Sequence, residues 1–207
     1  MSIVPTTETV DQDLELGVPP RRPVDLEKAA DAVAQFLDAL GIDRSEAPVA
    51  GTPERVARAY AEMLEPEPFE PTTFPNTEGY DELVVARSIP FSSLCEHHLL
   101  PFSGHAHVGY LPAGRLLGLS KLARVVTNFA RQLQVQERLT AQVADWLSVE
   151  LCPKGVGVVL EAEHSCMALR GARVNGTRTV TSALRGVVRD DPGTRAEFFA
   201  LTGARPG

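Results

Sequence analysis

Four prolines within twelve residues, in EPEPFEPTTFPN at 65–76, cut this chain into two regions that cannot share one run of secondary structure. Each proline removes a backbone donor and turns the preceding residue away from the helix, so regular structure is expected to stop here. What precedes the break has helical period. From Asp25 the apolar residues Leu26, Ala29, Ala30, Val33, Phe36, Leu37 and Leu40 recur at helical spacing, and Gly41 suits the stop. GTPERVARAYAEML repeats the pattern through Val56, Ala59, Tyr60 and Met63, with Thr52 as N-cap and Pro53 in the first turn. Residues 1–22 are polar, Pro-containing and aperiodic, which predicts a disordered tail. The expected organisation is a tail over 1–22, a helical arm with its Pro-rich connector over 23–76, and a further domain over 77–207.

After the break the period changes. ELVVARSIPF and GHAHVGYLP are strand-like, the second alternating apolar and polar residues. SKLARVVTNFARQL returns to helical period with Leu122, Val125, Val126 and Phe129 as its stripe and Ser120 as N-cap. VQERLTAQVADWLSVEL is a second helix, burying Val135, Leu139, Val143, Trp146 and Leu147; GVGVVLEAEHSC and TRTVTSALRGVV are strand-like again. This order predicts an α+β fold, a four-stranded antiparallel sheet with helices packed on one face, plus the N-terminal helical arm.

Composition narrows the function classes. No stretch approaches 18 uninterrupted apolar residues, and the N-terminus lacks a basic region followed by an apolar one. A cytoplasmic protein with no membrane partner is expected. Three cysteines, an odd number, argue against a disulfide framework. Cys152, between a helix and Pro153, is expected to be a small buried thiol. The net charge is −7, yet residues 95–189 hold eleven Lys and Arg against six Asp and Glu. That local excess suits a phosphorylated small molecule. Nucleic acid is not expected as a partner, because no Lys/Arg-rich run is interleaved with aromatics.

The positive half contains two cysteine–histidine groups. In CEHH, a turn would converge residues three apart, pairing Cys95 with His98 and leaving His97 free; an extended strand would pair Cys95 with His97. The descent toward Pro101 favours the turn. In EAEHSCMALRG, a strand places His164 and Cys166 on one face. If the two stretches lie side by side, Cys95, His98 and Cys166 form a Cys2His set, which suits zinc and leaves a fourth tetrahedral position for water. His97 and His164 would flank that position as proton carriers. Spacing alone leaves open a structural four-ligand site completed by Cys152 or His107.

Three further motifs carry polar groups. GLSKLARV sets Ser120, Lys121 and Arg124 at a helix start, where backbone N–H groups and cations can hold phosphates or merely cap and solvate the helix. QVQERLT sets Gln136 and Glu137 on a helix, either as an exposed patch or as an acceptor for a guanine edge. Arg170 lies four residues after Cys166.

Together, GTPERVA, CEHHLLPFSGHAHVGYLP, GLSKLARVV, QVQERLT, EHSCMALRG and TVTSALRG resemble the zinc-dependent GTP cyclohydrolase I family, in the family's order across roughly residues 40–200. The resemblance implies the tunnelling fold and conversion of GTP and water to 7,8-dihydroneopterin triphosphate and formate, the entry to tetrahydrofolate and pterin synthesis. It implies Zn2+ on Cys95, His98 and Cys166, and His97 and His164 as the acid–base pair, with Ser120 as a proton relay. Gln136 and Glu137 would anchor the guanine, and Lys121, Arg124 and Arg170 would contact triphosphate and ribose. It also implies a homodecamer of two pentamers with sites shared between subunits. Gln132 stands where the family often carries a basic residue. The competing expectation is a zinc-containing GTP-binding regulator without turnover.

Overall fold

The computed structural model describes residues 23–67 and 69–203, so the tail expected over 1–22 lies outside the described residues. By its internal contacts the chain divides into two units, Met1–Ala57 and Arg58–Gly207.

In the first unit, α1 spans Leu26–Ala39, and Asp25 caps it by accepting from Lys28 N at 2.9 Å. None of its residues is buried, and its stripe residues Phe36 and Leu40 are exposed. A short α2, Ala47–Ala50, leads into α3, Thr52–Met63, whose residues from Arg58 onward, Tyr60 among them, belong to the second unit. Thr52, expected as the cap, is itself the first helical residue, and its hydroxyl accepts from Arg55 at 2.9 Å. Pro53 and Ala57, rather than the predicted stripe, are the buried residues of α3.

The second unit is built on strands β2 (Val84–Cys95), β3 (Pro101–Leu111), β5 (Leu133–Gln134), β6 (Gly155–His164) and β7 (Arg178–Gly186), in the order β5-β2-β3-β6-β7. The four long strands are antiparallel, as expected; the sheet gains a fifth, two-residue strand because β5 runs parallel to the end of β2. A separate ribbon pairs β1 (Thr73–Pro75) with β4 (Arg115–Leu117), so the proline-rich connector is not wholly irregular. Pro75 is accommodated because it ends its strand, where a missing donor matters least.

Alternation explains the layers. In β6, Val156, Val158, Leu160 and Ala162 face helices α4 (Leu119–Ala130) and α5 (Gln136–Leu151), and all four are at most 0% exposed. Leu122, Val125, Val126 and Phe129 of α4 and Leu139, Val143, Trp146 and Leu147 of α5 are buried, as their spacing predicts. Burying each such side chain contributes roughly 1.5–3 kcal/mol. The opposite face is not bare: Val159 packs in a cluster with Val188 of α7 (Val187–Asp190) and with Phe198 and Phe199 of α8 (Pro192–Thr202). The expectation of helices on one face alone therefore fails at this end, where the glycines of β3 and β6 admit an aromatic ring. α4 starts after Gly118, not at a Ser120 cap. Cys152, expected to be buried, is exposed, because it closes α5 in a left-handed conformation at φ 43°.

The phase of β2 is reset by a bulge. Ala86 opposes Val108 and Ile89 opposes Ala106, so Arg87 and Ser88 together oppose His107, with Ser88 at φ 55°. Beyond it Ile89, Phe91, Ser93 and Cys95 alternate into the helical layer, and all are buried.

A Cβ on Gly157 would lie 2.7 Å from the Phe198 ring. Gly157→Ala is expected to lower stability by about 1–3 kcal/mol in chemical denaturation. In a Phe198→Leu background the loss from Gly157→Ala should shrink; an equal loss would show that the ring is not the obstacle.

Candidate metal centre

Three strand ends lie side by side at one edge of the second unit. Cys95 ends β2, Phe102 is the second residue of β3, opposite Ser93 on one side and His164 on the other, and His164 ends β6. After Cys95 the chain turns tightly: His98 N and Leu99 N both donate to Cys95 O, at 3.3 and 2.9 Å. After His164 the chain leaves the strand for a single helical turn, α6 (Ser165–Ala168), so Cys166 is carried by a helix and not by the strand that its alternation predicts.

These two turns bring Cys95, His98 and Cys166 together, with ligand atoms all within 4.8 Å of one another. Cys95 Sγ lies 3.7 Å from His98 Nδ1. Zinc–sulfur and zinc–nitrogen bonds of about 2.3 and 2.0–2.1 Å imply ligand separations of roughly 3.5–3.8 Å, so the set fits the ion with small side-chain adjustments. Burial, then the adjacent Cys95, raises the Cys166 thiol above its ordinary value, while Arg170 acts weakly in the opposite sense. Two facing thiols of this kind are the donor chemistry of a metal site.

The alternatives for a fourth ligand do not converge on this group. Cys152 is at the far end of α5, roughly 24 Å from Gln136 by helical rise. His107 opposes Val159, five residues from His164 and on the other face of the sheet.

His164 is held from two sides. Its ring stacks on Phe102 at 4.6 Å and an interplanar angle of 3°. Its Nε2 is 2.8 Å from Gln136 Oε1, and Gln136 is 1% exposed. Gln136 Nε2 donates to Leu160 O, Thr179 O and Thr181 Oγ1 at 2.9–3.2 Å. Thr140 donates to Gln136 O at 2.7 Å, leaving the Thr181 hydroxyl to donate to Thr140 and to accept from Gln136. This network fixes the amide orientation, so Oε1 must accept from His164 Nε2–H and Nδ1 carries the free lone pair. Burial lowers the His164 pKa, partly offset by the nearby Glu137 carboxylate, which favours the neutral ring. Gln136, expected beside a substrate, is thus enclosed in the chain's own hydrogen bonds.

His97, by contrast, is 63% exposed, with Nε2 3.9 Å from Glu96. Glu137 and Arg170 are exposed near the group. Ser120 and Lys121 are not brought to it. Ser93 Oγ donates to Ala130 O at 2.6 Å, which sets the C-terminal end of α4 near Cys95. The other end lies roughly 17 Å away by helical rise, beside Leu117, whose N–H donates to the Tyr110 hydroxyl. Arg124 lies midway along the helix.

Residues 29–203 match the sequence model of the GTP cyclohydrolase I family. The chain is 51% identical to GTP cyclohydrolase 1 of Aquifex aeolicus over 178 residues, covering 86% of this chain and 97% of that protein. It is 50% identical to that of Carboxydothermus hydrogenoformans over 184 residues (87% and 96%), and 50% identical to that of Mycobacteroides abscessus over 190 residues (89% and 93%). The chain belongs to the GTP cyclohydrolase I family.

Membership gives the Cys–His–Cys group of this GTP cyclohydrolase I family chain its chemical context. Three residues at the centre carry no assignment from sequence. Phe102 is hidden because cross-strand register is invisible in one sequence. Arg138 follows Glu137 directly, and its partner Gln134 lies outside the helix on β5, so no helical spacing signals the pair. Tyr60 reads only as part of a stripe, yet its hydroxyl donates to Leu99 O at 2.9 Å.

Because burial and the adjacent Cys95 favour the protonated Cys166 thiol, a metal ion bound here must displace its proton. Metal binding is expected to release protons and to tighten as pH rises through the neutral range. Calorimetry in buffers of different ionisation enthalpy checks this; pH-independent affinity would contradict it.

Proposed function

We propose that this chain is a zinc-dependent GTP cyclohydrolase I, converting GTP and water to 7,8-dihydroneopterin triphosphate and formate within the tunnelling fold. The observation that carries the reading is the Cys95–His98–Cys166 group beside a tautomerically fixed His164, in a chain of this family. A regulator that binds GTP without turnover is disfavoured: binding alone would not require an oriented neutral imidazole beside the metal ligands.

Cys95, His98 and Cys166 would hold the ion. Zinc, when bound, supplies Lewis-acid chemistry, acidifying water and polarising the purine. His164 takes or gives a proton at Nδ1, since Nε2 is committed to Gln136. Gln136 therefore acts through His164 rather than on the guanine. His97, exposed next to the group, exchanges protons with solvent during ring opening and reclosure. Glu137, in the first turn of α5, accepts two N–H bonds from the guanine edge, a pairing that discriminates because a wrong base would strand the charge. Arg170 meets the ribose and phosphates from the metal side.

Lys121, Arg124 and Ser120 belong to the same reaction as triphosphate contacts and proton relay. Their distance within one chain supports a site completed by a second copy, in a homodecamer of two pentamers. Among the described residues no helix is long and apolar enough to cross a membrane, and cytoplasmic tetrahydrofolate or pterin synthesis fits the reaction.

Cys166→Ala is expected to lose bound zinc and formate release together, read by metal analysis and by the pterin absorbance on incubation with GTP. Normal turnover by zinc-free protein would overturn the reading. Lys121→Ala and Cys166→Ala chains, each inactive alone, should recover activity when co-assembled, since one supplies the metal group and the other the phosphate group. Absence of recovery would place both groups in one subunit's site.

A further inference from the structure

The turn that carries two of the three sulfur and nitrogen donors is unusual in its backbone. Leu99, directly after His98, sits at φ 57°, a left-handed conformation that a bulky side chain disfavours, and it is exposed. Such a conformation persists only where its surroundings over-determine it. Two contacts do so here. On one side the Tyr60 hydroxyl, from α3, donates to Leu99 O at 2.9 Å. On the other, Arg138 of α5 donates through Nη2 to Glu96 Oε2 at 2.5 Å and to Leu133 O at 2.7 Å, and through Nε to Gln134 Oε1 at 3.0 Å.

Arg138 is thus anchored on β5 before it reaches the turn. Gln134 is fully buried, its Nε2 donating to Phe129 O and Gln142 Oε1, and its backbone O accepts from Glu96 N at 3.0 Å. Glu96 lies between Cys95 and His98, yet it is absent from the group whose ligand atoms converge. A guanidinium in this arrangement fixes both position and angle, because several of its donors are committed at once.

We infer that Arg138, acting through Glu96, and Tyr60, acting through Leu99, are positioning residues that hold the Cys95–His98 turn in its metal-binding shape. Neither touches substrate or ion. The inference rests on the reading that Cys95, His98 and Cys166 bind zinc. Outer partners of this kind typically change metal affinity by 10- to 100-fold when removed.

The test is zinc affinity of the full-length protein, measured by competition with a chromophoric chelator and compared with assembly size and thermal unfolding. Arg138→Met and Glu96→Gln are each expected to weaken zinc binding about tenfold or more with assembly size unchanged, and Arg138→Lys, which loses the fork, should resemble Arg138→Met. The double variant should be no weaker than the worse single one. Tyr60→Phe should weaken binding about two- to tenfold. Wild-type affinity in Arg138→Met and Glu96→Gln, even with lowered thermal stability, would overturn the inference and leave Arg138 a purely structural residue. Additive losses in the double variant would overturn the Arg138–Glu96 link. Should Arg138→Met fail to assemble, Glu96→Gln on the exposed turn decides alone. Failure of the wild-type protein to bind zinc would instead overturn the metal reading itself.

Discussion

The register of β3 against its two neighbours decides where the metal group forms. Leu94 opposes Pro101 on one side and Phe102 opposes His164 on the other, so the strand ends that carry Cys95 and His164 arrive at one edge of the sheet. Side chains in a strand alternate, so a slip of one residue would turn His164 away from the helical layer and separate it from Gln136. The bulge at Arg87–Ser88 has the same consequence for β2, because it sets which face Cys95 reaches. Metal geometry at the edge is therefore a product of pairing along the whole sheet. The burial of Phe102, Ala106, Val108 and Tyr110 beneath α4 and α5 is what fixes that pairing.

The polar network under His164 depends on the same layer. Gln136 is enclosed at the start of α5, where an unpaired amide would carry a desolvation penalty of about 1–3 kcal/mol. Every hydrogen-bonding group of its side chain has a partner, and each partner belongs to β6, β7 or His164 itself. A fully satisfied buried network tolerates one arrangement. The neutral, Nε2-protonated state of His164 is thus a property of the α5–sheet packing and not of the imidazole alone.

Much of this was legible in the sequence where the information is local. The helical stripes of α4 and α5 appear at their spacing because a core face repeats every three to four residues. The separation of three between Cys95 and His98 encodes a turn whose donors converge. Legibility ended where the determinant lies across the sheet. Cys166 reads as a strand residue because alternation continues through EAEHSC, and nothing local signals that the chain leaves the sheet after His164. Gln136 and Glu137 are adjacent and both polar, yet one is enclosed and the other exposed, because helical rotation separates them by about 100° and only one faces β6 and β7. The helices on the second face escape notice for a similar reason. Their anchor, Phe198, fits only because Gly109 and Gly157 on paired strands leave space at the same point.

The proposed division of chemistry along α4 follows from these constraints. A metal group needs rigid, converging donors, and the sheet edge supplies them where two turns meet. The proposed phosphate contacts, Lys121 and Arg124, lie toward the start of α4, which is held at the opposite end by the Tyr110–Leu117 bond. One chain cannot meet both needs at one point without shortening the helix that covers its core. On the proposed reading a second copy of the chain would resolve the conflict, by presenting its own α4 start to the first copy's sheet edge. Assembly would then be a geometric condition for chemistry, imposed by the length of the helix that stabilises each subunit.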